Sequence, residues 1–194
     1  MFMNQTQSFW RRLWIPSRRK WLLGIPMGGF AAVAVGALSL SAFHGAINAT
    51  NANAFCYSCH IGMDTIVEEY QQSIHFNNET GVQAQCADCH VPKEFFPKML
   101  VKIRATKDIY HQLKGTVNLE NFEQLRVHQA EVVFNTMKNR DSKECKNCHN
   151  PQQWNISMQS IRARNHHDPA AWQENNETCV DCHLGVAHKK PAIY

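Results

Sequence analysis

Cys56-Tyr57-Ser58-Cys59-His60, Cys86-Ala87-Asp88-Cys89-His90, Cys145-Lys146-Asn147-Cys148-His149 and Cys179-Val180-Asp181-Cys182-His183 repeat one spelling, C-x-x-C-H. Two cysteines three apart on a helical turn can each form a thioether to one vinyl group of a porphyrin. The histidine that follows then lies under the ring, where its imidazole can bond the iron. The four motifs use all eight cysteines of the chain. Zinc sites, disulfides and redox pairs also employ C-x-x-C, so one copy would decide nothing. Four copies, each with histidine in fifth place and no cysteine left over, read as four covalent c-type haems. His60, His90, His149 and His183 are their expected proximal ligands.

That reading sets the fold class. A chain of 194 residues has room for one or two domains. Four porphyrins supply apolar bulk that so short a chain otherwise draws from side chains. The expectation is a mainly α fold with much irregular loop: one N-terminal transmembrane helix, then a small multihaem cytochrome c domain. The net charge of +4 is too small to argue for nucleic acid, and no motif for it is visible. Haem is attached to c-type cytochromes after translocation, which places the haem part outside the cytoplasm, in the periplasm of a Gram-negative cell.

From Trp21 to Phe43 there is no charged residue. At about 1.5 Å per residue this stretch is long enough for a hydrocarbon core of about 30 Å. Arg11, Arg12, Arg18, Arg19 and Lys20 precede it, and no lysine or arginine follows until Lys93. The asymmetry puts residues 1–20 in the cytoplasm, the anchor at 21–43 and residues 44–194 on the periplasmic side. Trp10, Trp14 and Trp21 suit the interfacial belt, and Gly24, Pro26, Gly28 and Gly29 allow close approach of a neighbour. Ala52-Asn53-Ala54 resembles a signal-peptidase site, but the apolar run exceeds a signal core of about 7–15 residues and ends well before it. An uncleaved anchor is the preferred reading.

Residues 44–55 read as a polar tether. The stretch DTIVEEYQQSIH predicts a helix with Ile66, Tyr70 and Ile74 on one side, ending near His75. After the second motif, Phe96, Met99 or Leu100, Ile103, Tyr110 and Leu113 recur at helical spacing among lysines and arginines. That face either packs against haem or lies on lipid headgroups, and Gly115 should end the helix. A further helix is expected from Leu119 to about Asn139, with Phe122, Leu125, Val132, Val133 and Met137 inward. It divides two halves of similar plan, each with a spare histidine between two motifs: His75 in the first, His166 or His167 in the second. The domain therefore reads as a duplicated two-haem unit.

Of the 11 histidines, seven stand outside the motifs: His44, His75, His111, His128, His166, His167 and His188. Repeat logic selects His75, one of His166 and His167 (His166 is chosen), and His188 as distal ligands. Met63 is the candidate for the first haem, with a core methionine as its rival reading. His44, His111 and His128 are left as solvated or packing residues, with His128 in reserve. Paired imidazoles hold a haem at low potential, whereas a thioether or an open position raises it, so the first haem would differ from the other three.

The stretches SIHFNNETGV, CADCHVPKEFFPKM, DSKECKNCHN and TCVDCHLGVAHK resemble the NapC/NirT/NrfH family of membrane-anchored tetrahaem quinol dehydrogenases, and within it the NapC branch. The resemblance runs from the anchor nearly to the C-terminus. It implies electron transfer from the membrane quinol pool (menaquinol or ubiquinol) to a periplasmic reductase or its cytochrome subunit, nitrate reductase for the NapC branch. It further implies a first haem beside the quinol pocket with methionine ligation. The family methionine follows the motif after one residue, and Met63 follows after two. Asp88 matches an aspartate that lies at that haem, and is therefore the expected proton acceptor, with Lys93 or a neighbouring lysine orienting a quinone oxygen. A donor to nitrite or trimethylamine oxide reductase, and a soluble tetrahaem shuttle, are the alternatives. A nitrite-reducing haem enzyme usually carries a lysine variant of the motif, and none is present.

Overall fold

The computed structural model describes residues 9–19, 22–59, 63–168 and 176–191, leaving aside the side chains of Cys59, Met63, Asp64 and Gln112. His60 lies outside the described residues, as does the side chain of Met63. The chain forms two compact units, Met1–Thr50 and Asn51–Tyr194. Among the described residues the secondary structure is helical, with no strand.

The first unit is built on helix α1, Met27–Ala49, 23 residues without a charge, of which only Gly28 is buried. At about 1.5 Å per residue it is about 34 Å long, enough to cross a bilayer. It starts later than the apolar run does. Leu23 and Gly24 have φ of 51° and 76°, and Pro26, without an N–H, takes the N-cap position with φ −70°. It also runs past Phe43 through the expected tether and stops at Thr50, whose hydroxyl donates to the Ala46 carbonyl (2.9 Å) and the Ile47 carbonyl (3.0 Å). Gly28 is the position that admits a neighbour, and the neighbour is local. A Cβ there would lie 2.9 Å from the Leu13 carbonyl oxygen and 3.2 Å from the Trp14 ring.

The second unit holds α2 (Asn53–Cys59), α3 (Met63–Gln72), α4 (Cys86–His90), α5 (Phe95–Lys114), α6 (Phe122–Asn139), α7 (Lys143–Lys146), α8 (Ile161–His166) and α9 (Cys179–Cys182). Helix α3 stops three residues short of His75, where Ser73 turns the chain and its hydroxyl donates to the Tyr70 carbonyl (2.7 Å). Ile74 is consequently exposed, while Tyr70 is buried, donates to the Ala84 carbonyl and meets Phe76 edge-on. Gly115, at φ 63°, ends α5 as its position predicts. Asp141 and Ser142, both at positive φ, end α6. Tyr70, Phe122 and Val180 are the buried large apolar side chains among the described residues. Phe96, Leu100, Ile103, Tyr110 and Leu113 of α5 and Val132 of α6 are exposed in the polypeptide, so side-chain packing alone does not make this domain's interior.

Candidate haem-binding site

The helices of the first three attachment motifs meet in sequence order, and α9, of the fourth, packs on α6. Helix α4 packs on α2, and α7 on α4. Within each half, the leading cysteines of the two motifs touch. Cys56 lies close enough to act on the Cys86 thiol, and Cys145 and Cys179 act on one another. Burial, with Cys56 adding to it, pushes the Cys86 thiol up to about 11. In the other pair the neighbouring thiol of Cys145 holds Cys179 down to about 6, and Cys179 pushes Cys145 up. These are properties of the thiols before attachment. The same cysteine proximity recurs in both halves, as a duplicated two-haem unit would have it.

Motifs two and four begin with the same capping arrangement. The Asp88 carboxylate accepts the Gln85 N–H (2.8 Å), closing a capping box, and takes the Lys93 ammonium at 2.5 Å. Asp181 accepts the Thr178 N–H (2.7 Å) and hydroxyl (3.0 Å), and takes the Lys138 ammonium at 2.5 Å. Burial pushes both carboxyls up. Their lysine and backbone partners outweigh it and hold both below the ordinary aspartate range. Ser142, fully buried, ties motif three to motif four by accepting the Val180 N–H at 3.3 Å.

Three pairs of imidazoles face one another across the unit. His149 and His75 have ring centroids 6.1 Å apart, His90 and His188 6.3 Å, and His183 and His167 5.9 Å. An iron bonded to one nitrogen of each ring at about 2 Å would separate the centroids by about 6 Å, which is the spacing of each pair. Two of the spare histidines have a polar partner at Nδ1. The Nδ1 of His75 lies 3.1 Å from the Val186 carbonyl oxygen, and that of His167 lies 2.6 Å from Oε1 of Gln159. Trp154 sits against the His167 ring at 4.8 Å. His188 has a buried Nδ1 with no hydrogen-bond partner, and burial pulls its imidazole below the usual range.

Comparison with known proteins gives the family. Residues 18–193 match the NapC/NirT cytochrome c family, N-terminal region. The chain belongs to the NapC/NirT cytochrome c family. It is 47% identical over 146 residues to a putative tetraheme cytochrome-c type protein of Allochromatium vinosum, covering 75% of this chain and 78% of that one. It is 41% identical over 177 residues to the denitrification system component NirT of Stutzerimonas stutzeri (91% and 86% covered). It is 39% identical over 190 residues to the cytochrome c-type protein NapC of Haemophilus influenzae (97% and 90%). No solved structure matches the chain. As a NapC/NirT protein it is a tetrahaem c-type cytochrome and an electron carrier, with four covalent haems and one N-terminal apolar helix, in a membrane-anchored family.

Within this NapC/NirT domain the structure brings together most residues singled out from the sequence. Asp88 and Lys93 form one ion pair, and His75 and His188 each face a motif histidine. His166 is the exception: the ring opposite His183 is that of its neighbour His167. Helix α8 ends at His166 and His167 is its C-cap, so two adjacent histidines leave the backbone in different directions. His111 is engaged with the Thr116 hydroxyl (3.0 Å), and His128 is exposed on α6. Gln159, Lys138 and Ser142 had no sequence signal, since each acts on a motif remote from it or through a turn.

Proposed function

We propose that this cytochrome is a quinol dehydrogenase, anchored by α1 with its haem domain in the periplasm, that hands electrons from the membrane quinol pool to a periplasmic terminal reductase. The observation that carries the reading is the solvent-reachable pair of Asp88, inside the second attachment motif, and Lys93, just beyond it, with side chains 31% and 53% accessible. A quinol hydroxyl needs a proton acceptor and a polar donor side by side, and this pair offers both within reach of the second haem's attachment cysteines. Resemblance to the NapC branch favours nitrate reductase, or its cytochrome subunit, as the recipient. The basic residues Arg11, Arg12, Arg18 and Arg19 ahead of α1 support an N-terminus that stays in the cytoplasm.

Four cysteine pairs hold the haems in this reading: Cys56 and Cys59, Cys86 and Cys89, Cys145 and Cys148, Cys179 and Cys182. His149 with His75, His90 with His188, and His183 with His167 would each hold one haem iron. His60 and Met63 are left for the first haem. When bound, each haem iron stores one electron, so the two electrons of a quinol are taken singly. Oxidation of the quinol also releases two protons. Asp88 is held ionised by Lys93 and the Gln85 N–H, and would be a weak base toward a resting hydroxyl. A quinol hydroxyl becomes far more acidic as it loses an electron, so an ionised carboxylate in hydrogen-bond contact suffices to receive its proton. Lys93 fixes the carboxylate and can donate its remaining N–H groups to the quinone oxygen.

The test uses full-length protein in liposomes, with menaquinol and ubiquinol analogues added in turn. Reduction of the haem α-band by either quinol, and reoxidation by a periplasmic reductase, is the expected result. Normal haem content with no reduction by either quinol would leave an electron carrier that is not a quinol dehydrogenase.

A further inference from the structure

The loop that follows the last motif carries more than one ligand, and it has no regular structure of its own. Residues 183–190 include neither helix nor strand. Gly185, at φ 73°, folds the loop so tightly that a Cβ there would stand 3.2 Å from the Lys190 side chain and 3.4 Å from the His188 carbonyl oxygen. Ordering such a segment costs about 1–2 kcal/mol per residue in backbone entropy, so something must hold it. The restraint is a buried ion pair. Arg126 of α6 donates to both carboxylate oxygens of Glu69 of α3, at 3.0 and 2.5 Å. Glu69 in turn accepts the Lys189 N–H (2.9 Å), and Arg126 donates to the Lys189 carbonyl (2.8 Å). Both backbone groups of one residue are thus captured, and that residue directly follows His188.

Glu69 and Arg126 are 9% and 8% exposed. Burying two charges is costly, and apolar residues of similar size often stabilise a fold as well, so stability alone is a weak account of this pair. Geometry offers a stronger one. The pinned loop sets His188 opposite His90, and its Val186 carbonyl meets Nδ1 of His75, which faces His149. One clamp therefore bears on two imidazole pairs.

We propose that Glu69 and Arg126 are positioning residues that fix the 184–189 loop, so that His188 and His75 are held in register with His90 and His149. The inference rests on the reading of His188 and His75 as axial ligands, and the experiment separates the two. Full-length holoprotein is purified as wild type, as His188→Ala, as Glu69→Leu/Arg126→Met, which keeps the volume apolar, and as Glu123→Gln. Glu123 is an exposed carboxylate 3.5 Å from Arg126 and serves as the control. Haem content, thermal stability, the low-spin signal in electron paramagnetic resonance and carbon monoxide bound per reduced chain are measured. The double variant should keep four haems, lose part of its low-spin signal and bind roughly one additional carbon monoxide per chain, while Glu123→Gln matches wild type. A double variant with wild-type spin state and carbon monoxide binding would overturn the proposal. So would His188→Ala without a new carbon monoxide site, which would refute the ligand reading beneath it. Should the double variant fail to accumulate, Arg126→Lys carries the same test. It keeps the charge but lacks the fork that spans Glu69 and Lys189, and a wild-type spectrum from it would count against the clamp.

Discussion

Motifs two and four carry the same aspartate, the same capping box and the same lysine partner, yet they differ in where the lysine comes from and how much of the pair water can reach. At motif two, Lys93 is five residues beyond Asp88 on the same segment, and the pair is open to solvent. At motif four, Lys138 arrives from α6, and Asp181 is only 16% accessible. The first pair closes nothing that its own segment does not already close. The second fastens a long helix to the final motif. An aspartate in C-x-D-C-H is therefore first a helix cap, and only its exposure distinguishes a residue that can meet a substrate from one that holds the fold.

The comparison can be broken by substitution. Asp181→Ala removes a cap and strands Lys138, and should cost about 2–3 kcal/mol, read as a fall in the thermal midpoint with four haems retained. Lys138→Met should cost about 1–2 kcal/mol, because it leaves Asp181 with its two Thr178 donors. Asp88→Asn and Lys93→Met should each stay within about 1 kcal/mol, since solvent screens that pair. If the two motifs lose equal stability, the distinction drawn from exposure is wrong.

Acid titration sharpens the same contrast. Both aspartates have folded-state pKa values below the ordinary 3.8. A depressed carboxyl contributes stability that is fully present above its unfolded pKa and is lost as pH falls through its folded one. The stability difference between wild type and Asp181→Asn should thus hold above about pH 5 and shrink steadily below about pH 4. The corresponding difference for Asp88→Asn should be smaller at every pH.

Much of this was legible in the sequence, and what was not has identifiable causes. The four motifs, the helix ending at Gly115 and the charge-free anchor follow from spacing and composition, and each has its counterpart in the structure. The start of α1 was misjudged by hydropathy, which does not register that Pro26 and the positive φ at Leu23 and Gly24 interrupt the helix. His166 and His167 are equivalent by spacing. Only the end of α8, together with Gln159 eight residues upstream, selects the ring that faces His183. The partnership of Glu69 and Arg126 across 57 residues has no local trace in the sequence. His60 and the Met63 side chain lie outside the described residues.

The central claim is that quinol meets the chain at Asp88 and not at its twin. The direct measurement is the rate of haem reduction by quinol in liposomes for wild type, Asp88→Asn and Asp181→Asn, each at normal haem content. The account predicts about a tenfold or larger loss for Asp88→Asn, equivalent to about 1.4 kcal/mol or more in the barrier, and a rate within about twofold of wild type for Asp181→Asn. A wild-type rate for Asp88→Asn, or an equal loss in both variants, would contradict it.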